Sequence, residues 1–155
     1  MGSILHDIGK IGIRKSMLCK PGALTPDERK EIEAHPVIGS RIVGTLYGRN
    51  LESCVRHHHE RFDGHGYPDG LAGEQIPMEA RIVLLADAFD AMTSNRPYQR
   101  ALSIDQTVDE MRKCSGKQFG PNPVNLLIDC SGQLEDVRSV RAKPPTSLAD
   151  LAPAV

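Results

Sequence analysis

No apolar run in this sequence approaches the roughly 20 residues that a membrane-crossing helix needs, and its first residues show no signal-peptide pattern. Charge of one sign is also lacking. The formal net charge is −1, so there is no basic field of the kind that holds duplex nucleic acid, and neither a membrane nor double-stranded nucleic acid is expected as a partner. The four cysteines, Cys19, Cys54, Cys114 and Cys130, form no C-x-x-C pair. That argues against a structural zinc site or a disulfide framework and fits a reducing, cytoplasmic setting. Internal repeats and alternating strand patterns are absent as well. What remains is a 155-residue chain, 39% hydrophobic and 25% charged, enough for one domain with a real core.

The pattern reads as all-α. In "KPGALTPDERKEIEAHPVIG", Thr25 can cap a helix, Pro26 fits its first turn, and Glu28 completes a T-x-x-E capping box. Pro36 predicts a break just after His35, with a second helix over about 37–46. "LESCVRHHHE" reads as a short helix ending in histidines. Residues 61–77 hold four glycines and two prolines and read as a loop of turns. "PMEARIVLLADAFDAMTSN" is the strongest helix, with Ile82, Leu85, Phe89 and Met92 on one apolar stripe. Ser103 and Gln106 repeat the capping grammar, Gly116 is a stop, and "NPVNLLIDCSGQL" reads as a last helix. The domain is expected over residues 1–131. A poorly ordered tail, rich in proline and alanine, is expected over 132–155.

Histidine and aspartate donate lone pairs that suit manganese, ferrous iron and zinc. The chain offers them in short groups: His6-Asp7, His35, His58-His59, and Asp87 within an apolar helix. Neighbours on a helix diverge by about 100°, so one ion rarely uses both members of an adjacent pair, whereas two ions side by side can. The two adjacent pairs therefore point toward a two-metal centre, with Asp7 or Asp87 able to bridge. Such ions activate water and stabilise charge on a phosphoryl group. A lone histidine is more often a surface or core residue, and a run of three can be a solvated helix end. Asp87, between apolar neighbours, is expected to be buried and so to need a cation. Lys10, one turn past Asp7, and Arg96, Arg100 and Arg81 suit a phosphate-rich substrate. The glycine loop can bring backbone N–H groups to a ligand or form an anion-binding concavity, and Tyr67 could stack on a base.

Taken together, "HDIGKIGI", "KPGALTPDERKEIEAHPVIG", "HHERFDGHGYPDGLAGEQIP" and "ARIVLLADAFDAMTSNRPY" resemble the four ordered motifs of the HD-GYP family, a bacterial branch of the HD metal-dependent phosphohydrolases. The match runs from about Leu5 to Phe119. It implies an HD-like helical bundle with a Gly-rich GYP loop, here Gly66, Tyr67 and Pro68. It also implies a centre of two or three divalent ions, iron or manganese, held by His6, Asp7, His35, His58, His59 and Asp87. Asp7 and Lys10 match catalytic positions; Lys10, Arg96, Arg100 and Tyr67 are candidates for substrate contact. His57 is an extra residue outside the matched pair.

The activity implied is hydrolysis of cyclic di-GMP to pGpG or GMP in bacterial second-messenger signalling. A GGDEF-type signalling protein is a further expected partner, at the GYP loop. Two alternatives stay open: a catalytically impaired module that binds nucleotide or protein, and a phosphohydrolase of another cyclic dinucleotide. The family usually has helices before the HD motif, so the domain is expected to be N-terminally incomplete, with five residues before His6. Gln99 stands where the family's RPY is usually followed by a basic residue. Gly120 stands where it usually has Asp.

Overall fold

The computed structural model describes residues 2–95 and 100–132. Arg96, Gln99 and the tail from residue 133 onward lie outside them. Among the described residues there is no strand, only one isolated bridge between Ser115 and Phe119. Eight α-helices run α1 (Gly2–Leu5), α2 (Lys15–Leu18), α3 (Pro26–Ile32), α4 (His35–Tyr47), α5 (Arg49–His57), α6 (Met78–Thr93), α7 (Ile104–Lys113) and α8 (Pro121–Asp129). Short 3-10 turns at Ile8–Gly12 and Gly73–Gln75 complete the set.

Local chemistry sets several of these boundaries. At the start of α3 the Thr25 hydroxyl accepts from Glu28 N while the Glu28 carboxylate accepts from Thr25 N, a reciprocal capping box. Ser103 and Gln106 do the same for α7. Pro36 acts differently from expectation. The break falls at Glu33–Ala34, and His35 is the first residue of α4, with Pro36 in its opening turn. Proline lacks an N–H that this turn would leave unpaired anyway, so it starts the second helix instead of ending the first.

Packing falls into two connected parts. Helix α4 packs against α5 and against the first 3-10 turn, and α6 leans on α5. On its other side α6 meets α7 and α8 over a core of Leu84, Leu85, Met111, Phe119 and Val124. The buried face of α6 is Ala80, Val83, Leu84 and Leu85, whereas Ile82, expected on the apolar stripe, is 48% exposed. The helix is rotated away from the expected stripe because its core face must serve α5 and α7–α8 together.

One close approach governs where the site forms. A side-chain carbon on Gly9 would sit 1.9 Å from His35 O and 2.5 Å from Gly39 N. Only glycine lets the first 3-10 turn lie directly on α4. That contact sets Asp7, at the start of the turn, against His35, at the start of α4.

Candidate metal centre

Four side chains from three separate stretches meet at one point. Asp7, His35, His58 and His59 each present a ligand atom, and these atoms all lie within 4.8 Å of one another. His35 and His58 are fully buried. His6 stands beside the group, its Nε2 3.5 Å from Asp7 Oδ2 and 3.9 Å from Asp87 Oδ1. Asp87 thus faces the cluster, but it is 46% exposed. The burial expected for it is corrected: its side chain is open to solvent, which tolerates its charge.

The hydrogen bonds of the rings say which nitrogen carries the proton. Nδ1 of His6 donates to Ser3 O (2.8 Å), Nδ1 of His35 to Ile32 O (2.7 Å) and Nδ1 of His58 to Val55 O (2.7 Å). A carbonyl only accepts, so in the neutral rings Nε2 carries a lone pair. Those lone pairs converge: His35 Nε2 and His58 Nε2 are 3.4 Å apart, and His35 Nε2 is 3.3 Å from Asp7 Oδ1. Asp7 Oδ1 is buried and has no hydrogen-bond donor. Facing lone pairs around an orphaned carboxylate oxygen are costly unless a cation sits among them. The donor set, imidazole nitrogen with carboxylate oxygen, fits a first-row divalent ion.

The charge states favour the same use. Burial drives the His58 ring down to about 4, against its hydrogen bond to Val55. Burial, then the nearby His58 and His35, push His59 down to about 3. Both rings are therefore neutral donors at neutral pH. Burial opposes the charge on Asp7, but the Lys10 ammonium beside it outweighs burial and holds the carboxyl well below the usual range. Lys10 Nζ is 2.6 Å from Asp7 Oδ2, so this lysine is engaged with the chain's own carboxylate.

Other expected contacts fall elsewhere. His57 points away from the cluster, donating to Ser53 O and pairing with Asp69 Oδ2 at 3.0 Å. Arg81 is 6% exposed and packs by Glu74, so it belongs to the interior and not to a substrate surface. Arg100 is exposed on the segment after α6, and Arg96 lies outside the described residues. Tyr67 stacks on His59, with ring centroids 4.9 Å apart and 24° between planes, and burial raises its phenol pKa. Gly66 lies flat on the chain behind it, where a side-chain carbon would meet Arg61 N at 2.3 Å; the Tyr67–Pro68 bond is cis.

The loop's anion-binding concavity does form, but its occupant is internal. Glu60 is fully buried. Its Oε1 accepts from Asp69 N (2.7 Å) and Gly70 N (3.1 Å), and its Oε2 from Leu71 N (3.1 Å). The expectation that these N–H groups reach a ligand is corrected, because a carboxylate of the same loop takes them. Sequence reasoning passed over Glu60. Its signal was an acid set directly between the histidines and a stretch of turn residues with N–H groups to satisfy.

The chain is similar in sequence and fold to known proteins. The family model described as HD domain matches residues 1–122. The cyclic di-GMP phosphodiesterase response regulator RpfG of Xanthomonas campestris pv. campestris is 44% identical over 140 residues, covering 88% of this chain and 37% of that protein. A cyclic di-GMP phosphodiesterase of Thermotoga maritima is 41% identical over 136 residues, covering 86% and 37%. The chain thus spans well under half the length of these relatives. In fold it is similar to the crystal structure of a Vibrio cholerae cyclic GMP-AMP-specific phosphodiesterase, with a TM-score of 0.61, 21% identity, and coverage of 86% of this chain and 36% of that one. The His/Asp cluster, the helical fold and the match across residues 1–122 lead to one conclusion: this chain belongs to the HD domain family, carrying the ordered motifs of its HD-GYP branch.

Proposed function

We propose that this chain is the catalytic domain of a metal-dependent phosphodiesterase that hydrolyses cyclic di-GMP to pGpG, GMP or both in bacterial second-messenger signalling. One observation carries the reading: Asp7, His35, His58 and His59 turn their donor atoms on a single point, with no donor for Asp7 Oδ1. Two relatives that share over 40% of aligned residues bear the name of that activity. The proposed ligands are His6, Asp7, His35, His58, His59 and Asp87, holding two ions, iron or manganese. Bound there, such ions supply an acidified water and positive charge for a phosphoryl group.

The chain's own residues prepare that chemistry. Buried, neutral rings at His58 and His59 offer lone pairs without competing protons. Lys10 keeps Asp7 ionised and brings a cation to the rim of the site, the place for a phosphate oxygen. Asp87 and His6 form the solvent side, through which a dinucleotide enters. Arg96, from its RPY motif alone, is assigned to a second phosphate contact. A GGDEF-type partner at the GYP loop and a cytoplasmic setting complete the reading.

The test is turnover by purified protein loaded with manganese or ferrous iron, with cyclic di-GMP and cyclic GMP-AMP as parallel substrates. Formation of pGpG or GMP, lost in His58→Ala, is expected. Nucleotide binding by calorimetry with no hydrolysis across several metals would overturn the enzymatic reading in favour of a binding module. Hydrolysis confined to cyclic GMP-AMP would replace the substrate.

A further inference from the structure

Of the clustered histidines, His59 is held differently. His6, His35 and His58 each have Nδ1 tied to a carbonyl three residues back. Such bonds are the usual means of fixing a ligating imidazole. Among the described residues, neither ring nitrogen of His59 has such a partner; its ring instead lies against Tyr67, close to parallel. Tyr67 is itself held to the histidine segment, its N–H donating to His59 O at 3.3 Å.

The loop that carries Tyr67 is pinned from both sides. Behind it, Gly66 rests on the backbone of Glu60 and Arg61. Ahead of it, Glu60 gathers the N–H groups of residues 69–71. Asp69 adds an outer tie, accepting from Arg56 Nε and Nη2, both at 2.7 Å. Glu60 directly follows His59 in the chain, so the anchor and the ring it serves are neighbours.

We infer that Tyr67, anchored through Glu60, is the positioning residue for the His59 ring: it sets the plane of that ring by stacking, in place of the carbonyl bond that fixes the others. This builds on the metal-centre reading, and it assigns Tyr67 to the ring instead of to a substrate base. Glutamine at position 60 would keep one acceptor oxygen but turn an NH₂ group toward an N–H, so the loop would lose its grip without losing volume.

The experiment uses the full chain with Mn(II) alone as the probe, comparing wild type, Tyr67→Phe, Tyr67→Leu, Glu60→Gln and Glu60→Asp. Mn(II) affinity is read by competition with a chelator. The histidine ring resonances of the metal-free protein are read by NMR. Tyr67→Phe keeps the stacked ring and is expected to hold Mn(II) within about twofold of wild type with an unmoved His59 resonance. Tyr67→Leu and Glu60→Gln are expected to weaken Mn(II) binding by about 10–100-fold, the usual loss for an outer partner of a ligand, and to shift the His59 resonance. Glu60→Asp should recover part of the loss. Should Tyr67→Leu bind Mn(II) like wild type and only raise KM for cyclic di-GMP, the inference is wrong and Tyr67 touches substrate. If wild type binds no Mn(II), the metal reading fails, and an unmoved His59 resonance in Tyr67→Leu and Glu60→Gln would then sink the ring inference separately.

Discussion

Alanine at Gly9 is the sharpest test of how the site is assembled. The added carbon would stand 1.9 Å from His35 O, 2.5 Å from Gly39 N and 2.9 Å from His35 C. Ordinary carbon contacts are about 3.5–4.0 Å, so the 3-10 turn would have to withdraw from α4 by more than about 1 Å. Backbone atoms cannot rotate aside as a side chain can. Overpacking of this kind costs about 1–3 kcal/mol, occasionally more, or roughly 4–11 °C in Tm for a domain of this size. The larger effect falls on the site, because Asp7 rides on that turn and His35 on that helix. A displacement of about 1 Å in reacting groups can cost about 100-fold.

Two neighbouring glycines grade the effect. On Gly39 the carbon would lie 3.0 Å from Val55 Cγ1 and 3.1 Å from Gly9 N. On Gly12 it would meet only the Ile38 side chain, at 3.1 and 3.2 Å. Thermal melts and Mn(II) titration of the three alanine variants are expected to rank Gly9 worst, Gly39 next and Gly12 mildest. A Gly9→Ala protein with wild-type Tm and Mn(II) affinity would refute the argument, as would Gly12→Ala being the most damaging.

Acidification should weaken the metal-free protein: His58 and His59 titrate near 4 and 3 when folded but near 6.5 when unfolded, so the unfolded chain takes up protons first. Their contribution is whole above about pH 6.5 and fades toward pH 4, on the order of several kcal/mol; urea melts that are flat between pH 7 and 5 would contradict it. Gly120→Asp should stabilise. Gly120 caps α8 with φ −63 and ψ 138, open to any residue, and its new side chain would start 3.3 Å from Arg81 Cδ, where Arg81 Nη1 is paired with Glu74 Oε2 at 2.8 Å but Nε is buried without a hydrogen bond. A gain of about 0.5–1 kcal/mol is expected, a few tenths from the cap and the rest from a partner for Arg81 Nε, and a lower Tm would show that Phe62 cannot make room. His57→Ala should keep Mn(II) binding and cost under about 1 kcal/mol, the scale of a surface pair, while His58→Ala should abolish binding; equal losses in the two titrations would mean that the three histidines act as one cluster.

Capping was legible in the sequence at Thr25–Glu28 and Ser103–Gln106 because it is settled within four residues. The ligand candidates were legible as types, since adjacent His-Asp and His-His pairs are unusual, and the structure brings six of them into one neighbourhood. What stayed hidden depended on long-range packing. The exposure of Ile82 and Asp87 follows from α6 serving two sets of partners, which no single helical stripe records. The role of Glu60 follows from a loop folding back over nine to eleven residues. Pro36 fits either side of a helix break by its local rules, and only the placement of His35 against the first turn decides which helix claims it.

The spacing of the cluster along the chain has a topological meaning. His35 and His58 are 23 residues apart, and Asp7 comes from a third stretch still earlier in sequence. An ion gripped by all three would tie the α2–α3 segment (between Asp7 and His35) and the α4–α5 segment (between His35 and His58) into closed loops, as a disulfide does in secreted proteins. Each loop of this size takes about 3 kcal/mol of freedom from the unfolded chain. In a chain whose cysteines are all unpaired, the histidines and Asp7 would then be the crosslink of the fold, one that a chelator can open and a metal can close.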